Sequence, residues 1–362
     1  MKKIIPVLLA LLVVLLFAKL NYVTTLLSGT VPLQDFDAYY RLVAEIRAGS
    51  NPYQSQHMQT LGPPLVFTYY LPFSIFEIET ARQLTTGINL LAGFAVCYLI
   101  SKKYFGKKLN AFLLLSVLLF SAFSTRFSLE MGQPNLVLTL LVTLLVTNKK
   151  TFAKSALIAL LVSFKTYFVV LVLAFFKKER KVVILSGSLT LMIGLLYLPF
   201  IRVEWYDFFL RNKTGNFFAE QTLKSLDYYN QTIFMSVARL GLIKFALIIQ
   251  TLSSLLLLAV TVFTGSLPLA VLSSVLISPV VWQHYFVIFF PIYFYVFHKV
   301  LRDSKLLALW LISLLLWWLE FSSLHQADMG VFNRLLASHY LISGLLLFWV
   351  VFKVGGTQKK PS

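Results

Sequence analysis

Residues 155–176 read SALIALLVSFKTYFVVLVLAFF, a run of 22 residues with one charge, Lys165. The length suits a single membrane crossing, which takes roughly 20 helical residues. The flanks do not. Lys154 precedes the run and Lys177-Lys178-Glu179-Arg180-Lys181 follows it, so both ends look cytoplasmic. A single crossing would put one basic cluster outside and invert every later segment. The pattern instead predicts a re-entrant two-helix hairpin over 155–176, with its tip near Lys165. Each arm has about ten residues, or about 15 Å of helix, and reaches roughly mid-membrane. Irregular backbone at that depth must be buried in protein or line a water-filled cavity. A lysine there costs about 2.5–3.5 kcal/mol on insertion scales. It either pairs structurally with a carboxylate or carbonyls, or forms a cationic site for an anionic headgroup.

Working outward, the rest of the chain is also membrane-like. Of 362 residues, 58% are hydrophobic and 13% charged, with mean hydropathy +0.80. A soluble domain rarely exceeds about 50% apolar. Apolar segments fall at 4–27, 84–101, 110–125, 135–147, 182–200, 243–264, 267–282, 284–298, 306–322 and 338–352. The expectation is an all-α polytopic membrane protein, residues 1–362 forming one transmembrane domain with about ten full crossings. Met1-Lys2-Lys3 keeps the N-terminus cytoplasmic, and 353–362 is then a cytoplasmic tail. The first apolar stretch outruns a signal peptide and no Ala-x-Ala site follows, so it reads as a retained helix. The single cysteine, Cys97, excludes an intramolecular disulfide and a thiolate cluster.

The net charge of +18 resembles a nucleic-acid signal until the charges are placed. Inner loops hold 19 basic residues and two acids, Glu179 and Asp303, a net of 19 − 2 = +17. Outer segments hold 11 basic residues and 12 acids, a net of 11 − 12 = −1, and Lys19 and Lys165, within membrane segments, complete the +18. The excess is therefore the positive-inside asymmetry. Anionic membrane lipids suffice as its partners, and nucleic acid is not required.

The long outer loop, 28–83, contains Gln34-Asp35-Phe36-Asp37-Ala38-Tyr39-Tyr40 and ends a helical pattern at Gly49. Asp35 suits the cap of a helix beginning at Phe36. Phe36, Tyr39, Tyr40, Val43 and Ile46 mark one face, which predicts an amphipathic helix lying on the membrane surface. Gly49 suits the left-handed residue that follows a helix end. A second outer loop spans 201–242, where Phe217, Phe218, Tyr228 and Tyr229 either anchor at the interface or cover a site.

Six short elements occur in order over residues 35–285. They are Asp35-Phe36…Tyr39-Tyr40…Gly49-Ser50-Asn51-Pro52-Tyr53, Phe67-Thr68-Tyr69-Tyr70-Leu71-Pro72, Met131-Gly132-Gln133-Pro134-Asn135, Ser163-Phe164-Lys165-Thr166-Tyr167, Asn230-Gln231-Thr232 and Ser278-Pro279-Val280-Val281-Trp282-Gln283-His284-Tyr285. Together they resemble the family-87 glycosyltransferases, membrane enzymes of the GT-C architecture. Tyr285 stands where that family commonly has a second histidine, and Thr166-Tyr167 lacks its proline near the lysine.

The resemblance implies inverting transfer of a hexose, mannose first among them, from a polyprenyl-phosphate donor to a lipid or glycan hydroxyl at the outer face. A base must take the proton of the attacking hydroxyl. Fixed cations or donors must stabilise the departing phosphate. Asp35 matches the family's first-loop aspartate and is the expected base, with Asp37 the second choice. Lys165 is the expected phosphate partner, acting as a compact cation. His284 either holds phosphate or a sugar hydroxyl, or is a hydrogen-bonded interface histidine. Gln133 and Asn135 suit sugar hydroxyls or helix capping. Tyr39, Tyr40 and Arg126 complete the expected substrate-binding set, and Arg82 is a further phosphate candidate.

The chain has no Walker-type loop and no His-Glu-x-x-His pattern. No inner loop is long enough for a nucleotide-sugar domain, which favours a lipid-linked donor. No cofactor is expected, and no acidic cluster demands a metal. A transporter or flippase of a lipid-linked glycan is the alternative, since broken helices and a buried lysine fit one too. A non-catalytic glycan-binding member of the same fold is a third.

Overall fold

The computed structural model describes residues 24–54, 64–209, 228–321 and 330–356. Most of the expected 4–27 segment, Phe217, Phe218 and the end of the C-terminal tail lie outside these residues. The described chain is helical throughout, with one isolated antiparallel bridge, Asn230–Trp282. Two described helices, Ile78–Tyr104 and Ile243–Thr264, are long and apolar enough to cross a membrane. Leu109–Ser121 and Phe123–Met131 make a third such span if counted together, bent by 63°. Shorter apolar helices include Asn135–Thr147, Thr151–Phe164, Leu267–Leu276 and Ser304–Trp318.

Burial follows the logic of a lipid solvent. Along Ile243–Thr264 Leu247, Leu252, Leu255, Leu256 and Phe263 face out, Phe263 being 79% exposed, while Gln250, Leu257 and Thr261 are buried. Polar groups inside are tied to one another. The Tyr293 hydroxyl lies 2.8 Å from Ser313 Oγ and 2.7 Å from Ser343 Oγ, joining three helices. The alternative for such groups in hydrocarbon is no partner at all.

Several apolar runs break where the sequence inserts polar or proline residues. The expected 267–282 span stops as a helix at Leu276. Pro279 follows, and the residue before a proline avoids the helical region. Val281 then accepts from the Gln231 amide at 2.7 Å, and Tyr229 from the Gln283 amide at 3.0 Å. The expected 284–298 span begins as a 3-10 turn, Gln283–Phe289, before Phe290–Val300.

The 155–176 run breaks at Lys165. An α-helix occupies Thr151–Phe164, Lys165 is extended at φ −144°, and a 3-10 helix covers Thr166–Ala174. The second arm was expected to be α-helical. Its β-branched and aromatic residues are poor α-formers. The tighter helix also equalises the arms. Nine residues at about 2 Å rise span roughly 18 Å, against roughly 21 Å for fourteen α-helical residues. The two ends meet: Lys154 Nζ lies 2.8 Å from Glu179 Oε1, and the Ser155 hydroxyl donates to the Val182 carbonyl at 3.3 Å.

The 28–83 loop differs from expectation in two respects. Its helix runs Gln34–Arg47, with Leu33 at the cap position and no side-chain cap bond. Asp35 is therefore not a cap but lies inside the first turn. The apolar face meets protein rather than the membrane surface. Phe36, Tyr39, Val43 and Ile46 are buried, and Tyr40 partly so. Phe36 lies edge-on to Phe73 at 5.8 Å, and Tyr39 stacks on Tyr70 at 4.4 Å. Gly49 takes φ +80°, as its place after the helix predicts.

Candidate active site

The helix Gln34–Arg47 presents Asp35 and Asp37 in different directions. Two residues along an α-helix turn about 200°. Asp37 faces Arg82, which donates from Nε at 2.9 Å and from Nη2 at 2.6 Å in a bidentate pair. Arg82 also donates from Nη1 to the Gly29 carbonyl at 3.1 Å. That triangle fastens the loop to the Ile78–Tyr104 helix, and it occupies the guanidinium considered for phosphate.

Asp35 faces Gln133, whose Nε2 donates to Oδ2 at 2.7 Å. Gln133 follows Gly132, which ends the Phe123–Met131 helix in a left-handed conformation at φ +65°. A Cβ on Gly132 would lie 2.5 Å from Phe36 Cβ. The glycine therefore lets the Asp35 helix approach closely, and a side chain there would push it away.

The other end of the same amide reaches Lys165. Lys165 Nζ donates to Gln133 Oε1 at 3.4 Å and to the Tyr285 hydroxyl at 3.1 Å. It also lies 4.6 Å from the Tyr285 ring centroid. The amide orientation is set by this network, donor toward carboxylate and acceptor toward ammonium. Carboxylate, amide, ammonium and phenol thus form one continuous chain. Burial pushes the Asp35 carboxyl upward, against the Gln133 hydrogen bond and the Lys165 charge, which pull it down.

His284 joins through its neighbours. Its ring is 4.8 Å from that of Tyr285 and 5.1 Å, edge-on, from Phe127. Both ring nitrogens are buried with no hydrogen-bond partner. Asn135 Nδ2 donates to the His284 carbonyl at 3.3 Å. Neither Gln133 nor Asn135 caps the Asn135–Thr147 helix, whose cap position is Pro134.

Two expected residues are engaged elsewhere. The Tyr40 hydroxyl donates to the Phe76 carbonyl at 2.6 Å. Arg126 holds Glu320 at 2.7 Å and Glu130 at 3.6 Å. Tyr39 contributes its ring to the aromatic wall beside Asp35. Gly132 and the Asp37–Arg82 pair were missed in the sequence. A glycine directly before Gln133 at a helix end was the available signal for the first. The second joins residues 45 apart and left none.

Residues 60–319 match the model of Glycosyltransferase family 87. The comparison with curated proteins and that with solved structures each return no match. The matched span contains Gln133, Lys165 and His284 and begins after Asp35, which Gln133 brings to it.

Proposed function

The chain belongs to glycosyltransferase family 87, a family of sugar-transferring enzymes, and from that premise we propose an inverting GT-C hexosyltransferase that uses a polyprenyl-phosphate donor. The sugar is a hexose, mannose first, and the acceptor is a lipid or glycan hydroxyl at the extracytoplasmic face of the cell membrane. One observation carries the reading: a carboxylate and an ammonium are joined through a single amide, Asp35–Gln133–Lys165.

The acceptor hydroxyl attacks the anomeric carbon as Asp35 takes its proton. The bond from that carbon to the phosphate oxygen breaks, and polyprenyl phosphate leaves with the electron pair. Lys165 stabilises the charge that develops on it. One base suffices for inversion, with no covalent intermediate. Asp37 is set aside as base because its carboxylate already serves Arg82. Gln133 holds Asp35 in line, His284 takes phosphate or a sugar hydroxyl, and Asn135 takes a sugar hydroxyl. In this topology both termini, Lys154 and Lys177 are cytoplasmic, the 155–176 hairpin is re-entrant, and the loops 28–83 and 201–242 are outside.

The test is mass spectrometry of lipid-linked and envelope glycans from cells with and without the gene, paired with transfer by the purified enzyme. Loss of one hexose, and transfer from polyprenyl-phosphate mannose, are expected. Transfer from a nucleotide sugar with no lipid carrier overturns the donor. Movement of a lipid-linked glycan across liposomes without any product favours the flippase.

A further inference from the structure

Two phenols beside the network have buried hydroxyls with no partner, Tyr70 and Tyr167. Leaving such an atom unpaired is costly, and native proteins keep few of them. Both lie at the site. The Tyr70 ring stacks on Tyr39, which follows Asp35 by one helical turn, and is 1% exposed. The Tyr167 ring is 6.0 Å from that of Tyr285, whose hydroxyl receives Lys165. Tyr167 also follows Lys165 by two residues, just past the break in the helix.

Lys165 has three N–H donors, and the structure gives two of them acceptors, Gln133 Oε1 and the Tyr285 hydroxyl. The remaining N–H and the two phenol O–H groups are donors awaiting an acceptor. A phosphate offers several acceptor oxygens and the charge that an ammonium favours.

We propose that Tyr70 and Tyr167 are substrate-contacting residues whose hydroxyls, with the third N–H of Lys165, bind the phosphate of the lipid-linked donor. The inference rests on the reading of Lys165 as phosphate partner and adds two residues to it. Both phenols were present in the sequence motifs, but neither had a role.

The test uses the full-length enzyme in nanodiscs and polyprenyl phosphate without sugar as the probe. Tyr70→Phe and Tyr167→Phe each delete one oxygen. Each should raise the Kd for polyprenyl phosphate about 3- to 10-fold. Neither should lower the melting temperature, because the hydroxyl removed had no partner. Tyr293→Phe is the mirror control: its hydroxyl is fully bonded, so the melting temperature should fall while the Kd stays unchanged. Unchanged affinity in both phenol variants, with the wild type binding normally, overturns the phenols alone. A change in only one keeps that residue and removes the other. A wild type that binds no polyprenyl phosphate overturns the donor reading and this inference together.

Discussion

Asp35 and Asp37 share the first turn of one helix, yet they meet different partners, Gln133 and Arg82. Asp37 neutralises a buried arginine, with side-chain exposures of 9% for Arg82 and 11% for Asp37. Asp37→Asn would leave that charge unpaired and cost about 3 kcal/mol. A melting temperature lowered as strongly by Asp37→Asn as by Arg82→Ala would show the loss. Asp35→Asn should lower turnover by about 10²- to 10⁴-fold, the range of a general base. An unimpaired rate in a well-expressed variant removes Asp35 from the mechanism. The raised Asp35 carboxyl has two consequences of known sign. The base acts deprotonated, so the acid limb of the rate profile should lie above the ordinary carboxylate range. The folded state also binds the proton more tightly than the unfolded state does, so wild-type stability falls as pH rises through that window. Asp35→Asn should therefore be more stable than wild type at neutral pH, with the difference vanishing in acid. Thermal melts at several pH values check this. The sequence left the two aspartates unseparated because their partners, Gln133 and Arg82, lie 98 and 45 residues away.

At the scale of elements, the site depends on how closely the Asp35 helix approaches the turn at Gly132. Gly132→Ala meets two obstacles, the left-handed conformation and contact with Phe36. The backbone penalty alone is about 1–2 kcal/mol. Relief by shifting the helix would pull Asp35 from Gln133, so turnover should fall more than stability. Comparing the rate ratio with the melting shift, using Gly241→Ala as a positive-φ reference with open space around it, separates the two. Equal proportional losses in both variants would mean that Gly132 matters only for its backbone. Apolar runs, the glycine after the Gln34–Arg47 helix and the break at Lys165 were legible in the sequence, because each is a local pattern. The 3-10 arm, the 63° bend and the proline stop at Leu276 were not seen as interruptions. Hydropathy measures what a residue prefers to touch, and a 3-10 turn buries an apolar run as readily as an α-helix does. For the same reason the expected surface helix proved to be covered by protein: Phe73 and Tyr70 satisfy its apolar face as well as lipid would.

At the scale of the whole molecule, the charge partition and the hairpin stand or fall together. The inner net of +17 holds only if both flanks of 155–176 are counted on the same side. A straight crossing there would move Lys177, Lys178, Arg180 and Lys181 outward and spread the basic residues over both faces. The contact between Lys154 and Glu179 draws the two flanks together. A partly exposed ion pair, with side chains 13% and 38% exposed, adds little energy by itself, about 1 kcal/mol or less. Its value is geometric, since a straight helix of 22 residues would separate its ends by about 33 Å. Labelling with a membrane-impermeant maleimide decides the matter. Lys149 and Lys178 are exposed, as is Glu204 in the 201–242 loop, while the native Cys97 is buried and should stay silent. Lys149→Cys and Lys178→Cys should both react only from the cytoplasmic side, and Glu204→Cys only from the opposite side. If the first two label from opposite sides, the run is a crossing, every later loop inverts, and the proposed placement of the Asp35–Gln133–Lys165 network on the outer side falls with it.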